Sequence, residues 1–262
     1  MRDILSNPDN DNASPRDPVR DAQENMRRTL PKRFYKAASV GERDGMHHVL
    51  LDGRAVRTPG QNALAFSTPA AADLIAGEFN AQGEFIDPAA MPCYRLTNTA
   101  IDGVATDMQA VLEDILRYCG TDMLFYRAER PEGLVARQRA LWDPLVEWAE
   151  GLAGARFVMV EGIVHQAQPR ASIAAMGVHL NTVEEPVVMA ALHSMTTLTG
   201  SALLALAVWK GAISAGDAWT AAHVDEDWNI SNWGDDAEAA ARREARWREM
   251  DAADRLVKAL SV

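Results

Sequence analysis

The chain has 262 residues, 48% hydrophobic and 24% charged, enough to bury a core in one large domain or two small ones. Its formal net charge of −11 argues against nucleic acid and against anionic lipid, since both demand a basic face. Cys93 and Cys119 form no C-x-x-C pair, which fits a reducing compartment and carries no metal or redox signature.

Residues 1–30 are polar, with Asn, Asp and Pro prominent, and are expected to be a flexible or only locally helical segment. They lack an apolar h-region and are too rich in Asp for a transit peptide. A cytoplasmic bacterial protein is expected, or a mitochondrial matrix one if the source is eukaryotic. Residues 33–40 (RFYKAASV) read as a strand. Residues 46–52 and 54–58 read as a hairpin, because Asp52 followed by Gly53 favours the φ > 0 values of a type I′ turn. Residues 62–67 (NALAFS) complete a small antiparallel meander. Thr68 predicts a helix cap and Pro69 the first helical position. Ala71, Leu74, Ile75 and Phe79 follow at helical spacing. Asp87 and Pro88 mark a turn, residues 91–96 (MPCYRL) read as extended, and residues 97–101 as helix or loop.

From about residue 106 the pattern is helical to the end. Met108, Val111, Leu112, Ile115, Leu116 and Cys119 share one face. Residues 134–152 form another helix, with Leu141, Leu145 and Trp148 expected inward and Trp142-Asp143-Pro144 expected to bend it. Residues 156–160 (RFVMV) read as an isolated strand, and residues 173–180 as a short helix. Ser214 and Asp217 form a capping box variant that opens a helix from 215 to about 230. Residues 235–260, with alternating Arg and Glu, read as a solvated terminal helix.

The longest uncharged run is residues 186–209, PVVMAALHSMTTLTGSALLALAVW. It has the length of a bilayer crossing, roughly 20 apolar residues, but His193 and several hydroxyl residues dilute it. No membrane insertion is expected. A helix apolar all round belongs at the buried centre of a helical domain. A cap at Thr182 backed by Glu185, a break at Thr199-Gly200 and a stop at Lys210-Gly211 are expected.

Common catalytic motifs are absent: there is no P-loop, dinucleotide fingerprint, nucleophile elbow or H-E-x-x-H. His47 and His48 point to opposite faces of a strand and cannot serve one metal. His193 reads as a satisfied core histidine rather than a catalyst. Residues 224–234, VDEDWNISNWG, stand out. Helical spacing sets Trp228 with Val224 on an inward face and turns Glu226 about 200° from Trp228. Either the tryptophans are core and the acids solvated, as charge runs mostly are, or an acidic, aromatic-rimmed patch docks a basic partner. That patch would comprise Asp225, Glu226, Asp227, Trp228 and Trp233.

A set of short motifs runs in order along residues 31 to 240. It comprises Lys32-Arg33-Phe34-Tyr35-Lys36, Leu51-Asp52-Gly53-Arg54 with Arg57-Thr58-Pro59, and Glu78-Phe79-x-x-Gln82. Ile86-x-Pro88-x-x-Met91-Pro92, Thr99-Ala100-Ile101-Asp102 and Tyr118-x-x-Thr121-Asp122 follow. The last are Gln138-x-x-x-Trp142-Asp143-Pro144-Leu145 with Trp148, and Glu226-Asp227-Trp228 through Trp233-Gly234. The set resembles the ATP synthase assembly chaperones that handle the alpha subunit of the catalytic head, the mitochondrial assembly-factor-2 type and its alphaproteobacterial relatives. This chain departs from them at Phe79, where the family usually carries Trp, and at Asn229, where it usually carries Gln.

The resemblance implies an α+β fold: a small antiparallel β-rich N-terminal domain, residues 31–105, then an all-helical C-terminal domain, residues 106–262. The element pattern divides the chain in the same place. The resemblance further implies a monomeric chaperone rather than an enzyme, with no metal, no ATP and no cofactor. Its client would be the unassembled alpha subunit of ATP synthase, whose beta-facing surface it would shield. It implies reliance on an acid of the C-terminal domain, carried by motif to Glu226, with Glu238 as the rival. Asp52, Gly53, Phe79, Gln82, Trp142, Asp143 and Pro144 would be framework positions. A carboxylate-dependent hydrolase using Glu226 and Asp225 is the other reading; it would need a closed cleft, where a chaperone needs an open patch.

Overall fold

Two Asp-Gly turns build the sheet in this computed structural model, which describes residues 30–162 and 164–261. Asp44 and Gly45, with φ of 55° and 74°, join β1 (Ala38–Arg43) to β2 (Met46–Leu51). Asp52 and Gly53, at 47° and 80°, join β2 to β3 (Arg54–Ala55) as expected. These left-handed dihedrals suit the twist of paired strands. β1 and β2 run antiparallel with Ala38 opposite Leu51, and β4 (Ala65–Phe66) pairs with β2 at His47 and His48. β1 starts later than expected, at Ala38 rather than Arg33, because Lys36 N and Ala37 N donate to the Asp52 carboxylate at 3.0–3.1 Å instead of to a strand. The expected flexible segment lies outside the described residues, save residue 30.

α1 (Pro69–Asn80) starts at Thr68, whose Oγ1 accepts from Ala71 N, and lays Ala71, Ala72, Ile75, Ala76 and Phe79 against β1 and β2. Residues 91–96 are not extended. From Pro92 they belong to α2 (Pro92–Asp102), where Cys93 N and Tyr94 N donate to Glu78 Oε1 and Oε2, each at 2.8 Å. A cap supplied from another helix satisfies the first N–H groups but leaves no local signature.

α3 (Met108–Gly120) is capped by Asp107. α4 (Glu132–Ala153) continues through Pro144 and ends at Gly154, φ 59°. Its core residues include Trp142, 1% exposed, beside Leu145, while Leu141 and Trp148 are only partly buried. Residues 156–160 are not an isolated strand. Only Val160 enters β6 (Val160–Glu161), which pairs in parallel with β5 (Tyr126–Arg127). α5 (Arg170–Leu180) packs on α3 and α4.

The uncharged run forms two helices, α6 (Pro186–Thr199) and α7 (Ala202–Trp209), broken at Gly200 with φ 71°. Residues 202–208 of α7 are all buried, and among the described residues no helix is long and apolar enough to cross a membrane. Glu185 itself caps α6, and Thr182 instead donates its hydroxyl to His179 O. His193 is part-exposed and pairs with Asp114 at 2.6 Å. Asp122, fully buried, accepts from Leu203 N at the start of α7 and from Leu124 N.

The helix expected over 215–230 is two helices, α8 (Ala215–Ala222) and α9 (Val224–Trp233), joined at His223. The expected capping box of Ser214 and Asp217 opens α8. α10 (Ala237–Leu260) is not solvated throughout. Its second half buries Met250, Ala252, Ala253, Leu256 and Val257 and packs with α1, α2 and α6. Two of these are alanines, so the apolar stripe is weak beside the charge pattern. Arg95 on α2 pairs with Glu249, and Thr68 Oγ1 donates to Ala259 O at 2.7 Å. The result is an α+β fold: an antiparallel sheet backed by α1, then helices gathered around α6, which touches α2, α3, α7 and α10.

Candidate functional site

Each acid at the start of α9 meets a different neighbour. Asp225 Oδ1 accepts from Gln138 Nε2 on α4 at 2.7 Å, while Gln138 Oε1 accepts from Ala128 N at 2.8 Å. Asp227 Oδ1 accepts from Arg243 on α10 at 2.5 Å, and this carboxylate holds the guanidinium pKa above its ordinary range. Successive helical residues turn by about 100°, so Glu226 between them faces neither partner. Its side chain is 42% exposed, and its carboxylate lies 3.9 Å from His223 Nε2. Two acids therefore anchor α9 to its neighbours, and the middle one, about as exposed as Asp227, makes no side-chain hydrogen bond among the described residues.

Glu226 edges an open groove of about 380 Å³ between α8, α9 and α10. Trp219, Ile230 and Trp247 line its floor, and Asp235, Arg243 and Glu244 complete the rim. The Trp219 and Trp247 rings are 5.5 Å apart between centroids. The His223 ring packs against Trp219, 4.0 Å between centroids and tilted at 41°, and its Nδ1 donates to Trp219 O at 2.8 Å. Burial pushes the His223 pKa below its ordinary value, which favours the neutral ring. Asp236, beside the groove, is the cap of α10; its carboxylate accepts from Glu238 N and Ala239 N, which holds its pKa low.

Trp228 lies over Gly133 of α4, where an added Cβ would come within 2.5 Å of its ring. Arg137 sits 4.9 Å from the ring centre. Trp233 is 87% exposed at the end of α9. Glu238 is exposed, pairs with Arg242 one turn on, and does not line the groove.

The remaining motif residues lie elsewhere. Trp142 Nε1 donates to Ala221 O at 2.8 Å, tying α4 to the end of α8. Asp143 accepts from Arg127 at 2.6 Å, and that guanidinium lies 5.2 Å from the Trp142 ring centre. Pro144 is exposed. In the sheet lobe, Phe79 meets Tyr35 and Tyr94 edge-on, at 5.7 and 5.0 Å. Gln82 Oε1 accepts from Asp87 N and its Nε2 donates to Glu78 O. The hydrogen bonds to Asp52 from Ala37 N and Lys36 N hold its pKa low. Sequence reasoning missed Trp219, Trp247, Asp235 and Glu244. The available signal was the one-turn spacing of Arg243 and Trp247, in a segment read as solvated. Among the described residues, no group of three His, Cys, Asp or Glu is placed to hold a metal ion.

Comparison with known proteins sets this architecture among the chaperones. The family profile described as ATP12 chaperone protein matches residues 32–150. The Atu1473 protein of Agrobacterium tumefaciens, a candidate chaperone, superimposes with a TM-score of 0.86 at 48% identity, over 95% of this chain and 92% of that one. Atp12 from Paracoccus denitrificans gives 0.81 at 36% identity, over 88% of this chain and 98% of that one, as does a mutant of it. The chain belongs to the ATP12 chaperone family.

Proposed function

We propose that this chaperone of ATP synthase assembly binds the unassembled alpha subunit through the groove of α8, α9 and α10. It covers the surface that beta later takes, and beta displaces it by competing for that surface. An exposed subunit interface aggregates unless shielded. The observation that carries this reading is the position of Glu226, the acid its two neighbours leave unanchored, at the edge of an open groove with an aromatic floor. Apolar contact there gives affinity, and charge sets specificity and encounter rate. The chaperone acts as a monomer without cofactor or catalysis. A hydrolase using Glu226 and Asp225 has less support, because Asp225 is tied to Gln138 and the groove is open.

The test is co-expression with the isolated alpha and, separately, beta subunits of the cognate ATP synthase. Alpha alone is expected to stay soluble and co-purify, and Glu226→Ala is expected to weaken that capture while leaving the fold intact. Capture of beta instead, or an unaffected Glu226→Ala, defeats the proposal.

A further inference from the structure

We propose that the groove seats one arginine side chain of the bound protein, stacked on Trp219 and Trp247 and bracketed by the carboxylates of Glu226, Asp235 and Glu244. The inference rests on the reading above for the identity of the partner; the chemistry stands on the groove itself. The two indole rings are tilted at 59° and both line the groove, Trp247 partly exposed and Trp219 8% exposed. Three carboxylates stand around them. The groove's own cation, Arg243, is engaged by Asp227 at 2.5 Å. Among the described residues, Asp235 and Glu244 have no ion-pair partner.

An aromatic floor with an acidic rim selects a planar cation. A guanidinium stacks on indole and forks to carboxylates, which an ammonium does less well. The chain already uses this arrangement in completed form. Arg127 lies 5.2 Å over the Trp142 ring while bonded to Asp143 at 2.6 Å. The groove supplies the same two components, and the guanidinium that lines it, Arg243, is held by Asp227. Phosphates and acidic peptides would meet the three carboxylates and be repelled. At about 380 Å³ the space lies near the small end of ligand pockets, which run from roughly 300 to 1,000 Å³, and it suits one long side chain better than a large ligand.

The experiment titrates the full chain with acetyl-arginine amide and, separately, with its neutral isostere acetyl-citrulline amide, following the indole N–H resonances by NMR. Trp247→Phe assigns one of them. The Trp219 and Trp247 signals are expected to move with the arginine probe, and about tenfold less with citrulline at equal concentration, given a cation–π contribution of that order. Glu244→Arg changes an exposed rim residue, so it leaves the fold intact and is expected to abolish the response by filling the groove itself. No shift with arginine, or equal shifts with both probes, overturns the inference. The alpha subunit supplies a second arm. If the wild type captures alpha and Glu244→Arg captures it equally, the arginine seat is wrong while the client assignment stands. If the arginine probe binds but alpha is not captured, the seat is right and the client assignment falls.

Discussion

Gln138 and Asp225 lie 87 positions apart in sequence and 2.7 Å apart in space. Gln138 is 2% exposed and bonds at both ends of its amide, to Asp225 and to Ala128 N. Gln138→Leu keeps the volume and removes both bonds, leaving the Ala128 N–H without its acceptor. A loss of about 1–3 kcal/mol is expected in urea unfolding. Client capture should weaken as well, since α9 carries Glu226. Unchanged stability would show that α9 is held by other contacts.

Gly133 sets the seat of Trp228. In Gly133→Ala the new methyl would stand 2.5 Å from the ring, so the ring must move. Alanine favours the helix by up to about 1 kcal/mol, which offsets part of that displacement. The expected outcome is a folded protein with Trp228 shifted off Arg137, seen as changed tryptophan emission and in a crystal structure of the variant. A ring found in its original place would refute this.

Asp122 makes stability depend on pH in an unusual direction. Burial raises its pKa to about 6 from an ordinary 3.8, despite hydrogen bonds from Leu203 N and Leu124 N. The folded state therefore binds its proton more tightly than the unfolded state. This contribution to stability is fully present below the ordinary value and is lost as pH rises through about 6. Asp52, Asp102 and Asp236 have lowered pKa values and act oppositely, losing their contribution as pH falls below the ordinary value. Comparison with Asp122→Asn isolates the buried group. The variant should lose less stability than the wild type between roughly pH 4 and pH 7. Parallel profiles would sink the prediction.

Trp142 and Glu238 form a contrasting pair. Trp142→Phe strands the carbonyl of Ala221 in the core and should cost about 1–3 kcal/mol. Glu238→Ala removes an exposed pair with Arg242 and should cost at most about 0.5 kcal/mol. The same experiment on client capture separates the rival acids: Glu226→Ala is expected to reduce it and Glu238→Ala to leave it intact.

What the sequence made legible were features whose cause is local. The Asp52-Gly53 turn, the Thr68 cap, the break at Gly200 and the box of Ser214 with Asp217 each depend on residues a few positions apart. What it hid was supplied from elsewhere in the fold. α2 looked extended because its cap comes from Glu78. The buried half of α10 looked solvated because small alanines carry much of its apolar face. The candidate site divided in the same way. The acids and tryptophans of α9 were visible as a cluster. The floor of Trp219 and Trp247 was not, because it is assembled from α8 and α10, 28 positions apart by the sequence numbers, 247 − 219.

α10 reaches from the rim of the groove to the sheet lobe, where Ala259 O receives the hydroxyl of Thr68. During vectorial synthesis this has a temporal meaning. A nascent chain that has emerged only as far as residue 236 lacks the Trp247 side of the floor, the hold of Arg243 on Asp227 and the stripe that packs against α1, α2 and α6. Such a chain has α9 but no groove beside it. On the proposed reading, the protein would be inert toward its client while it is still being translated through this region, and would become competent only once α10 had cleared the ribosome and docked.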